Sequence, residues 1–533
     1  MINPAGYAFM RYHASWPFVL LLMMPALGII PLAAQSGRDA LIPEHVRSRD
    51  FKIVDAAFLH GYTHNIVQEE VGGRSMPTLT IQCTSDSRHI PDDELTTGRP
   101  FFSVWTRDLY WGFLGWAQAG DERVLGMMKS SIELLILAKN RNQARGQSEL
   151  WPLDDGRYYV PQAYTKGLKP ALDFYPWCSE SQADFLLLTY HYWDQTGDTA
   201  FIRSIWEDIV YVTETLEGLD TDGNSLPDAL WGSYDYMWIK PDSEEPLMCA
   251  KTSLAYRSVA MLARELGKTG YADHLEDLAR RVKHTMNLKT EEGGLWEADS
   301  KGGHYIQMRR ISGTRDSIHD TFIPYDNLVP MWCGMTDREQ EKAIFSNLDE
   351  GFDKYYKLVY GPIYCAPAGQ NEKSVMNCSS VTWLAFLDLY LRGKKGHERN
   401  RDRIYRMLMD HAGDAGGIPF PEGAGVYGYL TGGAGRCWDN GNYFHMLICG
   451  VYGLEKNRQG IRISSPRPIG SQPVKGLDNV CWHGSVYHFR WEGKGGTISR
   501  VMVDGEALEP GPGGYLITDP PGIHEVTITL KKH

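Results

Sequence analysis

Asp184-Phe185-Leu186-Leu187-Leu188-Thr189-Tyr190 is apolar at nearly every position. A helix with one wet face alternates apolar and polar residues every three to four positions. A helix apolar all round is buried on most sides. The run lies inside a helical stretch, Ser179–Gln195, so this segment reads as a member of an inner layer of helices. Working outward, apolar residues recur at helical spacing over Val54–Gln68, Asp121–Ala138, Thr199–Leu216, Lys251–Leu266 and Tyr271–Met286. They do so again over Asp337–Leu348, Ser380–Leu391, Arg401–His411 and Gly441–Gly450. Counting less regular stretches, roughly twelve helices fall between residues 45 and 455. Short turns and long loops join them alternately, which predicts six helical hairpins closed in a ring, an (α/α)6 barrel. The long loops, Gly146–Tyr164, Asp220–Leu247, Gly293–Ser317, Val359–Met376 and Gly413–Trp438, would gather at one mouth. They are rich in Trp, Tyr, Asp and Gly, and long loops of that kind carry function.

After Gly453 the periodicity changes from three to four residues to two. Ser485–Trp491, Thr497–Val503 and Glu525–Leu530 alternate as strands between Gly, Asp and Pro turns, with Asp504-Gly505 as a hairpin turn. The expected organisation is a signal peptide over residues 1–34, a helical barrel over 35–455 and a small β-sandwich over 456–533. Arg11, the uncharged run Trp16–Ala34 and its small-residue end make the export pattern, with cleavage near Ala34 and a secreted or periplasmic protein. An uncleaved anchor is the alternative, which Pro17, Pro25 and Pro31 disfavour. After signal removal no membrane contact is expected.

The 533 residues carry a net charge of −12, which excludes a nucleic-acid partner and points away from polyanionic sugars. Sixteen Trp and 29 Tyr suit stacking on sugar rings, but large helical cores also use them as fillers. Nine Cys, with no CxxC pair, give no zinc spacing and no assignable disulfides.

Three loop regions carry carboxylates in settings that need explaining. Trp105-Thr106-Arg107-Asp108 opens a helix among aromatics: a clamp for sugar hydroxyls, or a helix-start ion pair. The second region is Asp220-Thr-Asp222-Gly-Asn224, continuing to Asp228 and then Tyr234-Asp235-Tyr236-Met-Trp238. Oxygen side chains at Asp220, Asp222, Asn224 and Asp228 could ligate a structural calcium or build an Asx-rich turn. Asp235, among Tyr and Trp, has the apolar setting that keeps a general acid protonated. The third region holds Glu422 between Pro and Gly, then Trp438-Asp439 at the start of the last helix, where Asp439 is a candidate base or an N-cap. Glu372 is a further candidate. Trp151, in the first long loop, is a candidate sugar platform.

These pieces, in this order, resemble the six-hairpin glycosidases, the (α/α)6-barrel superfamily of glucoamylases, processing α-glucosidases, bile-acid β-glucosidase relatives and α-rhamnosidases. Trp105-Thr-Arg107-Asp108 resembles its Trp-x-Arg-Asp segment. Glu180-Ser-Gln-Ala-Asp184 through Thr196-Gly197-Asp198 resembles the tract ending Thr-Gly-Asp. Asp220 to Trp238 resembles the segment whose later Asp is a general acid, and Glu422 to His445 resembles the late base region of the rhamnosidase-like branch. The resemblance implies a glycoside hydrolase, inverting, needing no cofactor. Trp105, Arg107, Asp108, Trp151, Glu180, Tyr234, Trp238 and Trp438 would bind a neutral sugar, Asp235 would be the acid, and Glu422 or Asp439 the base. A phosphorylase or lyase on the same barrel, and a non-catalytic glycan-binding protein, stand as alternatives.

Overall fold

The computed structural model describes residues 44–80, 104–142, 159–165, 167–170, 179–228, 243–310, 318–320, 322–356, 379–414, 420–425, 430–470, 474–518 and 520–531. Thirteen helices occur among them: α1 (Ile53–His64), α2 (Thr106–Ala119), α3 (Glu122–Asn142), α4 (Ser179–Thr196), α5 (Thr199–Ser204), α6 (Trp206–Glu217), α7 (Pro246–Glu265), α8 (Thr269–Met286), α9 (Tyr325–Trp332), α10 (Arg338–Tyr356), α11 (Thr382–Lys395), α12 (Arg401–Asp414) and α13 (Cys437–His445).

Six of them form a closed inner ring: α2 packs on α4, α4 on α7, α7 on α9, α9 on α11, α11 on α13, and α13 back on α2. The first five inner helices each turn back through a short connection into an outer one, α3, α5–α6, α8, α10 and α12. The last inner helix, α13, packs on the first outer one, α1, so chain order closes the ring. This is the (α/α)6 barrel that the sequence pattern predicts. Burial follows position. Every residue of α2 is buried, whereas α8 buries only the stripe Ala272, Leu275, Ala279, Val282 and Met286, at the spacing of one helix face.

Glycines set the closeness of the ring. A Cβ on Gly115 of α2 would run into the Gly441 carbonyl of α13, and one on Gly441 would meet the Gly112 backbone. Backbone meets backbone here, a contact that any side chain would prevent.

Inner helices all begin at one end of the ring, and three small sheets sit there. Val104–Trp105, leading into α2, pairs with Ala163–Thr165. Ser243–Glu244, leading towards α7, pairs with Met308–Arg310. Ser379–Val381, leading into α11, pairs with Pro421–Gly425, which pairs with Leu430–Ala434. The long connections enter the inner helices through this end, which is the mouth.

Several boundaries differ from the sequence reading. The helix expected to reach Gln68 stops at His64, because Ile66–Val71 and Arg74–Leu79 form a hairpin turned by Gly72 and Gly73 at φ 60° and 78°. Thr199–Leu216 is two helices that break at Ile205. The last inner helix begins at Cys437, not Gly441, and gives way after His445 to a π-helical turn over Met446–Val451. α9 contains Pro330, which as a helix breaker hid it from the periodicity.

The C-terminal region holds a six-stranded sheet in the order Arg47–Ser48, Gly476–Trp482, Ser485–Gly493, Ile523–Lys531, Thr497–Val503, Glu506–Leu508, and a three-stranded sheet of Leu454–Asn457, Gly460–Ile463 and Tyr515–Ile517. Asp504 and Gly505, at φ 50° and 87°, turn the expected hairpin. The first strand of the large sheet comes from before α1. Lys456 is buried between ring and sheets, and its ammonium donates to the carbonyls of Gly120 at 3.0 Å and Cys481 at 2.8 Å. Ring and sheets belong to one compact unit, residues 43–533. No helix among the described residues is long and apolar enough to cross a membrane.

Candidate active site

The first two turns of the inner helices bring buried charge to the mouth. Arg107 and Asp108 start α2, Glu180 and Asp184 lie in the first turns of α4, and Lys251 is the sixth residue of α7. Glu180 accepts from Lys251 at 2.8 Å and from Arg107 at 3.5 Å, and Lys251 also pairs with Asp184. Arg107 and Glu180 are 3% and 2% exposed. Ion pairs this deep strengthen as water leaves and cost heavily if one partner is lost. Burial alone would lift the Glu180 carboxyl, but Lys251 and Arg107 outweigh it and hold it below its usual range, so it stays ionised. At Asp184 burial prevails over Lys251 and, with the Glu180 charge beside it, pushes the carboxyl up to about 7.

Both cations lie over indoles: Arg107 is 5.1 Å from the Trp438 ring centre and Lys251 is 5.4 Å from that of Trp111. Trp383 of α11 stacks on Trp438 at 5.2 Å and meets Trp111 at 4.9 Å. The ring is therefore not an open pore. Three tryptophans from α2, α11 and α13 plug it below the mouth, with two cations and their carboxylates beside them.

Of the candidates taken from the sequence, Arg107, Glu180 and Trp438 meet in this cluster. Asp108 is 3.9 Å from Arg107 and Trp105 ends the strand before α2. Asp439 is the third residue of α13, 0% exposed. Arg436, not Asp439, is the N-cap, so the capping reading of Asp439 is corrected. The strand carrying Glu422 pairs with the strand that leads into α11, Val381 opposite Gly423. Asp235, Tyr234, Trp238, Trp151, Glu372 and the Glu422 side chain lie outside the described residues.

The oxygens of the Asp220–Asp228 loop turn inward on the loop itself. Asp220 accepts from the Ser225 amide at 3.0 Å, Asp222 from that of Asn224 at 3.1 Å, Asn224 from that of Leu226 at 2.7 Å, and Asp228 from that of Thr221 at 3.2 Å. The Asn224 side-chain amide also donates to Glu244, which Arg309 holds at 2.7 Å. The loop is an Asx-built clasp on the strand before α7. Burial pushes Asp228 up to about 6 and Glu244 up to about 7. Among the described residues, no three His, Cys, Asp or Glu side chains are grouped to hold a metal ion.

Lys251, Asp184, Trp111 and Trp383 were not among the candidates. Lys251 had a sequence signal: a lone charge inside Pro246-Leu-Met-Cys-Ala-Lys251-Thr-Ser-Leu-Ala, an otherwise uncharged stretch.

No protein-family model and no curated protein sequence matches the chain. Among solved structures it is similar to a GH78-family rhamnosidase of a Bacillus species, with a TM-score of 0.51 and 14% identity, over 86% of this chain and 45% of that one. It is also similar to a GH63 mannosylglycerate hydrolase from Thermus thermophilus (TM-score 0.45, 13% identity, 64% of this chain and 92% of that one). A bacterial glucoamylase gives a TM-score of 0.44 at 15% identity, over 65% of this chain and 48% of that one. The chain spans less than half the length of the rhamnosidase. The likeness is one of fold.

Proposed function

From a fold that it shares with a six-hairpin glycosidase, we propose that this chain is a glycoside hydrolase whose site is the mouth of the helical ring. The observation that carries the proposal is the pairing of Arg107 with Glu180 and Lys251 over the stacked Trp438 and Trp383, at the N-terminal ends of the inner helices. An enzyme that binds a sugar needs flat apolar faces for the ring and fixed polar groups at its rim. Those groups must not shift as charge develops on the sugar, and a buried ion network holds them.

Hydrolysis requires an acid to protonate the leaving oxygen and a base to activate water. Asp235 is our proposed acid and Glu422 our proposed base, with Asp439 as the rival for the second role. The sequence order of these loops supports the assignment, as does the strand pairing of Glu422 beside the entry to α11. A neutral sugar and inversion of configuration complete the proposal, together with export after cleavage near Ala34. A calcium ion in the Asp220–Asp228 loop would have to displace backbone amides from the same oxygens, so chelation lowering the melting temperature is its test.

Activity on a panel of p-nitrophenyl glycosides tests the whole reading. Asp235→Asn should lose at least about 10²-fold in turnover, less on substrates with good leaving groups, and Glu422→Gln should lose on all alike. A wild type inactive on the entire panel overturns the proposal. Full activity in Glu422→Gln with none in Asp439→Asn moves the base to Asp439.

A further inference from the structure

Asp184 is buried in the charged cluster and has no task in the reaction proposed above. Asp184 and Lys251 are 0% and 1% exposed, and each is the sixth residue of its helix, α4 and α7. Glu180 lies one turn before Asp184 on the same side of α4. The Lys251 ammonium serves both carboxylates: it pairs with Asp184 and donates to Glu180 Oε1 at 2.8 Å. The other oxygen of Glu180 accepts from Arg107, the second residue of α2, at 3.5 Å. The contacts therefore run Asp184, Lys251, Glu180, Arg107, and the last of these lies over Trp438.

The groups that face Asp184 differ in what pH does to them. They are Glu180 on its own helix, Lys251 of α7, Arg107 and Tyr110 of α2, and Cys333 at the end of α9. Lys251 and Arg107 hold Glu180 ionised against its burial, and Asp184 and Glu180 keep Lys251 charged against its own. Arg107 is charged at any pH the protein meets. Burial holds the Tyr110 phenol above its usual range and pushes the Cys333 thiol up to about 12, so both stay neutral. Asp184, which burial lifts to about 7, is the member of this set that changes charge near neutral pH. An ammonium is a compact charge with three donors, and it settles nearer whichever acceptor is ionised. With Asp184 ionised, Lys251 is shared, and more of the Glu180 charge is left to Arg107. With Asp184 protonated, Lys251 rests on Glu180 and weakens its hold on Arg107. Little water screens these contacts, so the change is felt along the chain.

We propose that Asp184 is a positioning residue: its charge draws Lys251 away from Glu180, and so sets how firmly Glu180 holds Arg107 against the sugar. This deepens the glycosidase reading and rests on it. The experiment compares wild type with Asp184→Asn, of nearly the same volume, on the best-cleaved p-nitrophenyl glycoside, from about two pH units below the Asp184 titration to about two above it. Wild-type KM should fall about 3–10-fold as pH rises through that window, the net value of one hydrogen bond. Asp184→Asn, neutral at every pH, should keep the higher KM throughout. The acid and base of the reaction titrate in both proteins, so a difference between the two profiles belongs to Asp184. A purely structural role gives another result: a lower melting temperature for Asp184→Asn, with a KM profile parallel to that of the wild type. That result, or a wild-type KM flat across the window, overturns this inference and leaves the glycosidase reading standing. The flat wild-type profile needs no variant, so the inference can fail even if Asp184→Asn does not fold. A wild type that cleaves nothing on the panel overturns both.

Discussion

Lys251 shows how a single charge can organise a buried site. It is 1% exposed on an inner helix, and its ammonium serves two carboxylates of the neighbouring helix. Burial would lower its pKa, but Asp184 and Glu180 prevail and raise it, so it stays charged. Lys251→Met would strand Asp184 in the core and leave Glu180 with Arg107 alone. We expect it to cost about 3–5 kcal/mol in urea-induced unfolding, the range for breaking a buried pair from one side. A loss under about 1 kcal/mol, the range of surface pairs, would mean that water reaches the cluster. At this scale the sequence was partly legible. Arg107, Glu180 and Trp438 could be chosen because polar and aromatic residues at helix starts stand out. Trp383 and Trp111 could not, because nothing in a one-dimensional pattern says that two tryptophans far apart in the chain will meet.

At the scale of elements, α2 and α13 pack through glycine. Gly115→Ala should destabilise by about 3 kcal/mol or more, the upper end of overpacking, since the obstacle is helix backbone that cannot turn aside. Gly126→Ala on the outer α3 is the control: a Cβ there meets nothing within 4 Å, so stability should rise by about 0.5–1 kcal/mol. Equal effects of the two on the denaturation midpoint would refute the packing account. The Asp220–Asp228 clasp makes a prediction about pH. Burial raises the folded-state pKa of Asp228 from 3.8 to about 6. The folded form then holds the proton more tightly than the unfolded chain, so this residue's contribution to stability falls as pH rises from about 4 to about 6. Asp228→Asn should flatten the stability profile over that window, and an unaltered slope would show that the carboxyl is not the titrating group.

Across the whole molecule, the ring and the C-terminal sheets are tied at separate places. The strand Arg47–Ser48, from before α1, joins the large sheet; Tyr452 donates to the Gly476 carbonyl of that sheet at 3.3 Å; and Gln118 and Gln195 of the ring both donate to the Lys456 carbonyl. Regions joined only by a linker unfold separately. We therefore expect residues 43–533 to give one calorimetric transition with matching calorimetric and van't Hoff enthalpies. Two resolved transitions would show that these ties are weaker than the interior of either part.

The architecture follows from hydrophobic periodicity. Inner and outer helices differ in how much of their circumference is apolar, and strands differ from both in period, so Asp184–Tyr190, Tyr271–Met286 and Ser485–Trp491 each declare a layer before any contact is known. Hidden elements were those whose local signal is contradicted by packing: α9 with Pro330 inside it, and the Ile66–Leu79 hairpin that follows α1 without a break. What fills the mouth does not follow from that pattern. Ring closure brings Trp111, Trp383 and Trp438 into contact and sets Lys251 beside Glu180, residues separated by long stretches of chain. It also decides which buried groups find partners and which, like Asn440, do not among the described residues. Periodicity records the direction in which a residue faces, and pairing depends on what the folded chain brings to meet it.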